Sequence, residues 1–163
     1  MSTDIARRDL LQSRRDAVAA LDHLIGAAQS SVQIFDQDLA TTGYDSAVRS
    51  ELLRAFLLGG RQRRLHIALH RTHLLEAECP RVLSVLRDFS TRSEVRRTMT
   101  GVRHAADNLV IVDGMHYWRQ LQFDQSRYVV VADDPVATKE MTTRFQEIWE
   151  QTTTVALTKV LGL

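Results

Sequence analysis

A chain of 163 residues and 18.5 kDa is sized for one domain that can bury about two-thirds of its unfolded surface. Its 44% apolar and 25% charged residues, with seven Gly and two Pro, exclude a disordered, collagen-like or low-complexity chain. Twenty-one basic against 20 acidic residues leave a formal net charge of +1, which argues against bulk nucleic acid or an anionic membrane as the main partner, so any anion site must be local.

In chain order, the charged Met1 to Leu10 start has no long apolar core. Neither a secretory signal nor a membrane span is expected there, and the cytoplasm is the expected compartment. Residues 1–12 are expected to form a loosely packed extension of a single domain that spans 1–163. From Ser13 to Gln29, Ala17, Val18, Leu21, Leu24, Ile25 and Ala28 follow helical spacing. A first core strand runs from Ser31 and stops at Asp36 and Asp38 before a Thr-Thr-Gly turn. Val48, Leu52, Ala55 and Phe56 predict a second helix from Ser46, stopped by Gly59-Gly60. Leu65 to His70 is a second strand. Cys79, the single cysteine, cannot make an internal disulfide, and Pro80 opens a third helix with Val82, Val85, Leu86 and Phe89 on its buried stripe.

The second half changes to short strands: Glu94 to Thr100, Asn108 to Val112, Tyr117 to Phe123 and Arg127 to Ala132, joined by turn-prone Asp113-Gly114 and Asp124-Gln125-Ser126. Links this short require antiparallel neighbours. Asp134-Pro135 caps a last helix whose Met141, Phe145, Ile148 and Trp149 share a face that should be buried. Thr152 to Leu163 is a last strand or a packed coil. The order predicts an α/β fold, one mixed sheet of about six or seven strands with helices on both faces.

No phosphate-binding loop, dinucleotide fingerprint, nucleophile elbow or paired-Cys metal signature is present. Arg103 to Gly114, a polar lead-in, an apolar strand and an Asp-Gly turn, resembles the HxKxxxxD element of the phospholipase D superfamily. Asp133 to Ala137 leading into Phe145 to Trp149 is similar to that superfamily's closing turn and helix. Within it, the chain most resembles a small bacterial group that lacks the full motif. The resemblance implies a single phospholipase D-like half. Aligned on Asp113, however, Ala106 stands where the nucleophilic His belongs and Asn108 where the Lys belongs, and the GSxN segment has no counterpart. Alanine cannot form a phospho-enzyme intermediate, and Asn cannot supply the charge that steadies phosphoryl oxyanions, so the expected protein is catalytically silent. It would bind a phosphate-bearing ligand or a protein partner where active relatives hold substrate, with no cofactor and no metal.

Ligands in open α/β sheets gather beyond the strands' carboxyl ends, which nominates Asp36, Asp38, Arg71, Arg97, His104 and Asn108 as ligand-binding residues. The alternative is a phosphodiesterase or nuclease with a site rebuilt around His104, His70 and Asp113. Asp36 and Asp38 also suit turn capping, and a metal site from His70, His73 and a carboxylate is not expected. Two arginine clusters, Arg61, Arg63 and Arg64 and then Arg92, Arg96, Arg97 and Arg103, would suit a phosphate backbone but fit solvated surface better, so no strong nucleic-acid signature is present. The resemblance also implies pairing of two copies, and the apolar Val110 to Val112 strand beside His116-Tyr117-Trp118 offers a surface that a second copy would cover.

Overall fold

The computed structural model describes residues 7–157. These form β1 (Arg7–Leu11), α1 (Arg14–Ala27), β2 (Ser31–Asp36), α2 (Ala47–Leu58), β3 (Arg64–Leu69), α3 (His73–Glu78), α4 (Pro80–Asp88), β4 (Ser93–Thr98), a 3-10 turn (Thr100–Val102), β5 (Asn108–Val112), β6 (His116–Gln120), β7 (Tyr128–Ala132), α5 (Pro135–Trp149) and β8 (Thr152–Thr154). Side-chain oxygens of Ser13, Ser46 and Asp134 cap α1, α2 and α5 by accepting the backbone N–H three residues on, satisfying donors that a helix start would leave free.

All eight strands join one mixed sheet in the order β1-β7-β6-β5-β2-β3-β4-β8. The adjacent strands β2, β3 and β4 are parallel, and every other pairing is antiparallel. The eight strands slightly exceed the expected six or seven. Arg7–Leu11, placed by its sequence in a loose extension, pairs with β7 along its length. Its Arg-Arg-Asp start lacks the alternation of a core strand because it is a sheet edge, where charge guards against unwanted pairing. Residues 1–6 of that extension lie outside the described residues. So do residues 158–163 of the tail, whose Thr152–Thr154 forms the opposite edge.

Alternating strand residues feed two cores, one on each face of the sheet. On one face Val32, Ile34, Leu65, Ile67, Val110, Val112 and Trp118 pack beneath α1, α2 and α4; on the other Phe35, Ala68, Leu109, Ile111, Tyr117 and Val131 pack beneath Met141, Phe145 and Ile148 of α5. The helices on both faces are therefore as expected. The buried face of α2 is not: Val48 is exposed, and Arg49, Leu53, Phe56 and Leu57 carry the contact. Trp149 is half-buried rather than buried, its ring stacked 5.0 Å from His66 and 4.4 Å beneath the Arg96 guanidinium.

Val110, Ile111, Val112, Tyr117 and Trp118 are all buried within this one chain. The exposed apolar surface that would have called for a second copy is absent, because α1 and α5 cover both sides of β5 and β6. Three of the clustered arginines, Arg63 and Arg64 of the first group and Arg92 of the second, are likewise committed internally. Arg63 and Arg92 donate to the carbonyls of Phe56 and of Leu57 and Gly60 at the end of α2, while Arg64 donates to those of Arg61 and Arg63. Helix-end carbonyls lack intrahelical partners, and these guanidinium groups supply them. Among the described residues no helix is long and apolar enough to cross a membrane.

Candidate functional site

Because β5 runs antiparallel to β2, the start of β5 lies at the same end of the sheet as the carboxyl ends of β2 and β3. A cavity of about 170 Å³ opens there on the α1 face. Asp36, Asp38, Arg71 and Asn108, four of the six residues nominated from sequence, line it. Arg97 and His104 do not; both side chains are exposed, Arg97 on β4 and His104 after the 3-10 turn.

Asp36 ends β2 on the cavity side and is 1% exposed. Its Oδ2 accepts from the backbone N–H of Asp38 and Leu39 (3.2 and 2.7 Å) and from the Thr42 hydroxyl (2.8 Å). These bonds hold Leu39 at φ +67°, a left-handed conformation that costs a non-glycine residue about 1–2 kcal/mol. Burial raises the Asp36 pKa to about 6 against the three bonds that lower it. Asp38 accepts from Thr41 through both its N–H and its hydroxyl and meets Arg71 at 3.1 Å. The turn-capping role that sequence allowed for these two carboxylates is thus present, and Asp36 also faces the cavity.

Asn108, at the position of the motif Lys, is locked in an amide chain. Its Oδ1 accepts from the Gln37 N–H (3.0 Å) and its Nδ2 donates to Gln120 Oε1 (2.9 Å), while Gln120 donates to the carbonyls of Phe123 and Gln125. Ala106, at the position of the motif His, lies next to this chain, its carbonyl accepting from Phe123 N–H.

The residues of the rebuilt phosphodiesterase site do not converge. Asp113 closes β5 at the far end, about 17 Å from Asn108 at ~3.4 Å per residue. There it accepts from the N–H groups of Gln29, Ser30 and Ser31 and from the Ser30 hydroxyl, which outweigh burial and hold its carboxyl below the usual range. Asp113 and Gly114, both at positive φ, form the tight turn into β6, so this Asp is a turn anchor. His70 lies on the α5 face, its Nε2 bonded to the Ala105 carbonyl (2.7 Å) and its Nδ1 to the Thr98 hydroxyl (2.6 Å). Desolvation lowers its pKa, which suits a neutral ring donating from Nε2 and accepting at Nδ1. Among the described residues no three His, Cys, Asp or Glu side chains gather as a metal site requires.

Sequence reasoning missed three elements of this region. Arg49, 2% exposed, lines the cavity from α2, donating to Asp22 and to the Thr42 carbonyl with its guanidinium 5.0 Å from the Tyr44 ring centre. A cation in phase with Leu53, Phe56 and Leu57 was the available signal. Arg14 reaches the cavity mouth from the first turn of α1 and bonds the Thr41 carbonyl. Behind the sheet end Asp107, 2% exposed, receives Arg119 at 3.0 Å and Arg144 through both carboxylate oxygens. Burial pushes this carboxyl up, but the two guanidinium groups prevail and hold it low.

The model of a family described as "Domain of unknown function (DUF7931)" matches residues 13–161. No curated protein matches the chain. Among solved structures the fold is similar to that of Nuc from Salmonella typhimurium, a phospholipase D family member, with a TM-score of 0.65 at 14% identity over 93% of this chain and 99% of that one. It is similar to NucT from Helicobacter pylori, with a TM-score of 0.60 at 13% identity over 93% of this chain and 100% of that one. It is also similar to TrmBL2, an archaeal chromatin protein with a novel mode of DNA binding, with a TM-score of 0.67 at 13% identity over 95% of this chain. The chain spans 57% of TrmBL2. The resemblance read in the motif region therefore holds for the fold, which is phospholipase D-like.

Proposed function

This chain belongs to the DUF7931 family and has the phospholipase D-like fold, and from that premise we propose that it is a catalytically silent binding module for a small phosphate-bearing ligand, seated in the cavity beyond β2. The observation that carries the reading is the Asn108 chain. The position from which relatives' motif Lys would meet a phosphate is spent on Gln37 and Gln120, and Ala106 offers no nucleophile. The cavity itself keeps Arg14 and Arg71, and guanidinium forks suit phosphate oxygens. The first helical turn of α1 at the cavity mouth adds the partial positive charge of a helix start.

The purified protein should leave bis(p-nitrophenyl) phosphate unhydrolysed above background, with or without divalent metal. Turnover abolished by His104→Ala would refute silence and restore the phosphodiesterase reading. In a thermal-shift panel, phosphate esters should raise the melting temperature where unphosphorylated analogues at equal concentration do not, since selective binding stabilises the native state.

Two-fold pairing also belongs to this proposal. Its support is the superfamily's habit of pairing two halves, since no exposed apolar strand calls for it. Light scattering should give about twice the 18.5 kDa chain mass, and a concentration-independent mass of one chain would contradict pairing.

A further inference from the structure

Two polar groups in the cavity have bonding capacity that the protein does not use. Asp36, almost wholly buried, places three hydrogen bonds on Oδ2 and none on Oδ1 among the described residues. Arg49, equally buried, uses Nε and Nη1, and its Nη2 has no acceptor among the described residues. Both meet at Thr42, whose hydroxyl donates to Asp36 and whose carbonyl accepts from Arg49. An acceptor and a donor are thus left over close together, each open to the cavity rather than sealed in the core, and a ligand that engages both needs a complementary pair of groups.

A phosphate does not supply that pair. Its charge would be repelled from the floor by the Asp36 carboxylate and drawn to the mouth, where Arg14, the start of α1 and the half-exposed Arg71 lie. Neighbouring hydroxyl groups do supply it, one donating to Asp36 and one accepting from Arg49. The wall beside them is aromatic, with Trp118 and Tyr128 centred 5.3 Å apart, and the Trp118 N–H is already given to the Ala17 carbonyl. Such a wall suits the C–H face of a saturated ring. The cavity's 170 Å³ is of the same order as the ~150 Å³ of a cavity that admits one benzene ring, so it has room for a ring.

Building on the phosphate-site reading above, we propose that the ligand is the monophosphate of a single hydroxyl-bearing ring, a sugar or cyclitol, with two hydroxyls on Asp36 and Arg49, its ring face on Trp118 and Tyr128, and its phosphate at Arg14 and Arg71. Asp36 and Arg49 set which ligand binds, and Arg14 and Arg71 supply the attraction common to all phosphates.

The test is calorimetric titration of the full chain at about pH 7.5, above the Asp36 pKa, with inorganic phosphate, glycerol 3-phosphate, a hexose 6-phosphate, an inositol monophosphate and the unphosphorylated ring compounds. At least one ring monophosphate should bind about tenfold or more tightly than inorganic phosphate, the scale of one charge-assisted hydrogen bond. Asp36→Asn can keep the Oδ2 bonds through its carbonyl and turns the free oxygen into an N–H₂ donor, so it should abolish that advantage and leave inorganic phosphate binding undiminished. Arg71→Gln should weaken inorganic phosphate and ring monophosphates in equal proportion. Inorganic phosphate binding as tightly as every ring monophosphate would overturn the ring assignment and leave the phosphate site standing. Absence of binding by every compound would overturn both.

Discussion

Asp107→Ala is expected to destabilise the fold by about 3 kcal/mol, the lower end of the range for breaking a buried ion pair. The carboxylate is 2% exposed and joins Arg119 of β6 to Arg144 of α5, so its loss leaves two guanidinium groups facing each other where the closing helix crosses the sheet end. Those groups are 28% and 34% exposed and can recover some hydration, which keeps the cost from the upper end. For a chain of this length the melting temperature should fall by about 10 °C. Urea unfolding of the two proteins checks this, and a change below about 0.5 kcal/mol, the scale of an ordinary surface substitution, would show that the triad is ornamental.

Asp36→Asn has the opposite sign. A carboxyl with pKa about 6 in the folded protein, against 3.8 as its ordinary value, binds its proton more tightly folded than unfolded. Its favourable contribution is complete below about pH 4 and is lost as pH rises through 6, a swing of about 3 kcal/mol from ~1.4 kcal/mol per pH unit. The Asn variant lacks that titration. Its stability relative to the parent should therefore be near parity at about pH 4 and grow to as much as about 3 kcal/mol by pH 7. Asp107 and Asp113, whose pKa values are lowered, act in the other direction in both proteins, losing their contribution as pH falls, and so cancel in the difference. Denaturant titrations of both proteins across this range read the effect, and a pH-independent difference would contradict it. A carboxylate retained at such a cost to stability is the kind of group that binding sites keep.

The elements with chemical punctuation were legible in the sequence. Asn108–Val112 was bounded by polar residues and an Asp-Gly turn, and α5 opened on Asp134-Pro135, so their limits and antiparallel setting followed from composition alone. The α2 face was misread because Val48 outranks Arg49 on any hydrophobic scale, while the fold buries Arg49 to pair with Asp22 some 27 residues earlier, a partner that no local pattern shows. The same applies to Asp107, whose partners lie 12 and 37 residues away. Arg63 and Arg92 looked like members of two surface clusters because the helix-end carbonyls they serve are invisible in a sequence. Asp36, Asp38, Arg71 and Asn108 were found by the rule that ligands gather beyond strand ends, which needs only strand order and direction. His104, His70 and Asp113 were grouped by their chemistry, and only the register of β5 against β2 shows that Asp113 lies at the wrong end.

The central claim, a phosphate site in the cavity beyond β2, is tested most directly by titrating inorganic phosphate into ¹⁵N-labelled protein and following backbone amide shifts. The account predicts saturable shifts concentrated at Arg14, Gln37 to Thr42, Arg71 and Asn108. Shifts confined to the exposed Arg97 and Arg103, or no saturable shift at all, would contradict it.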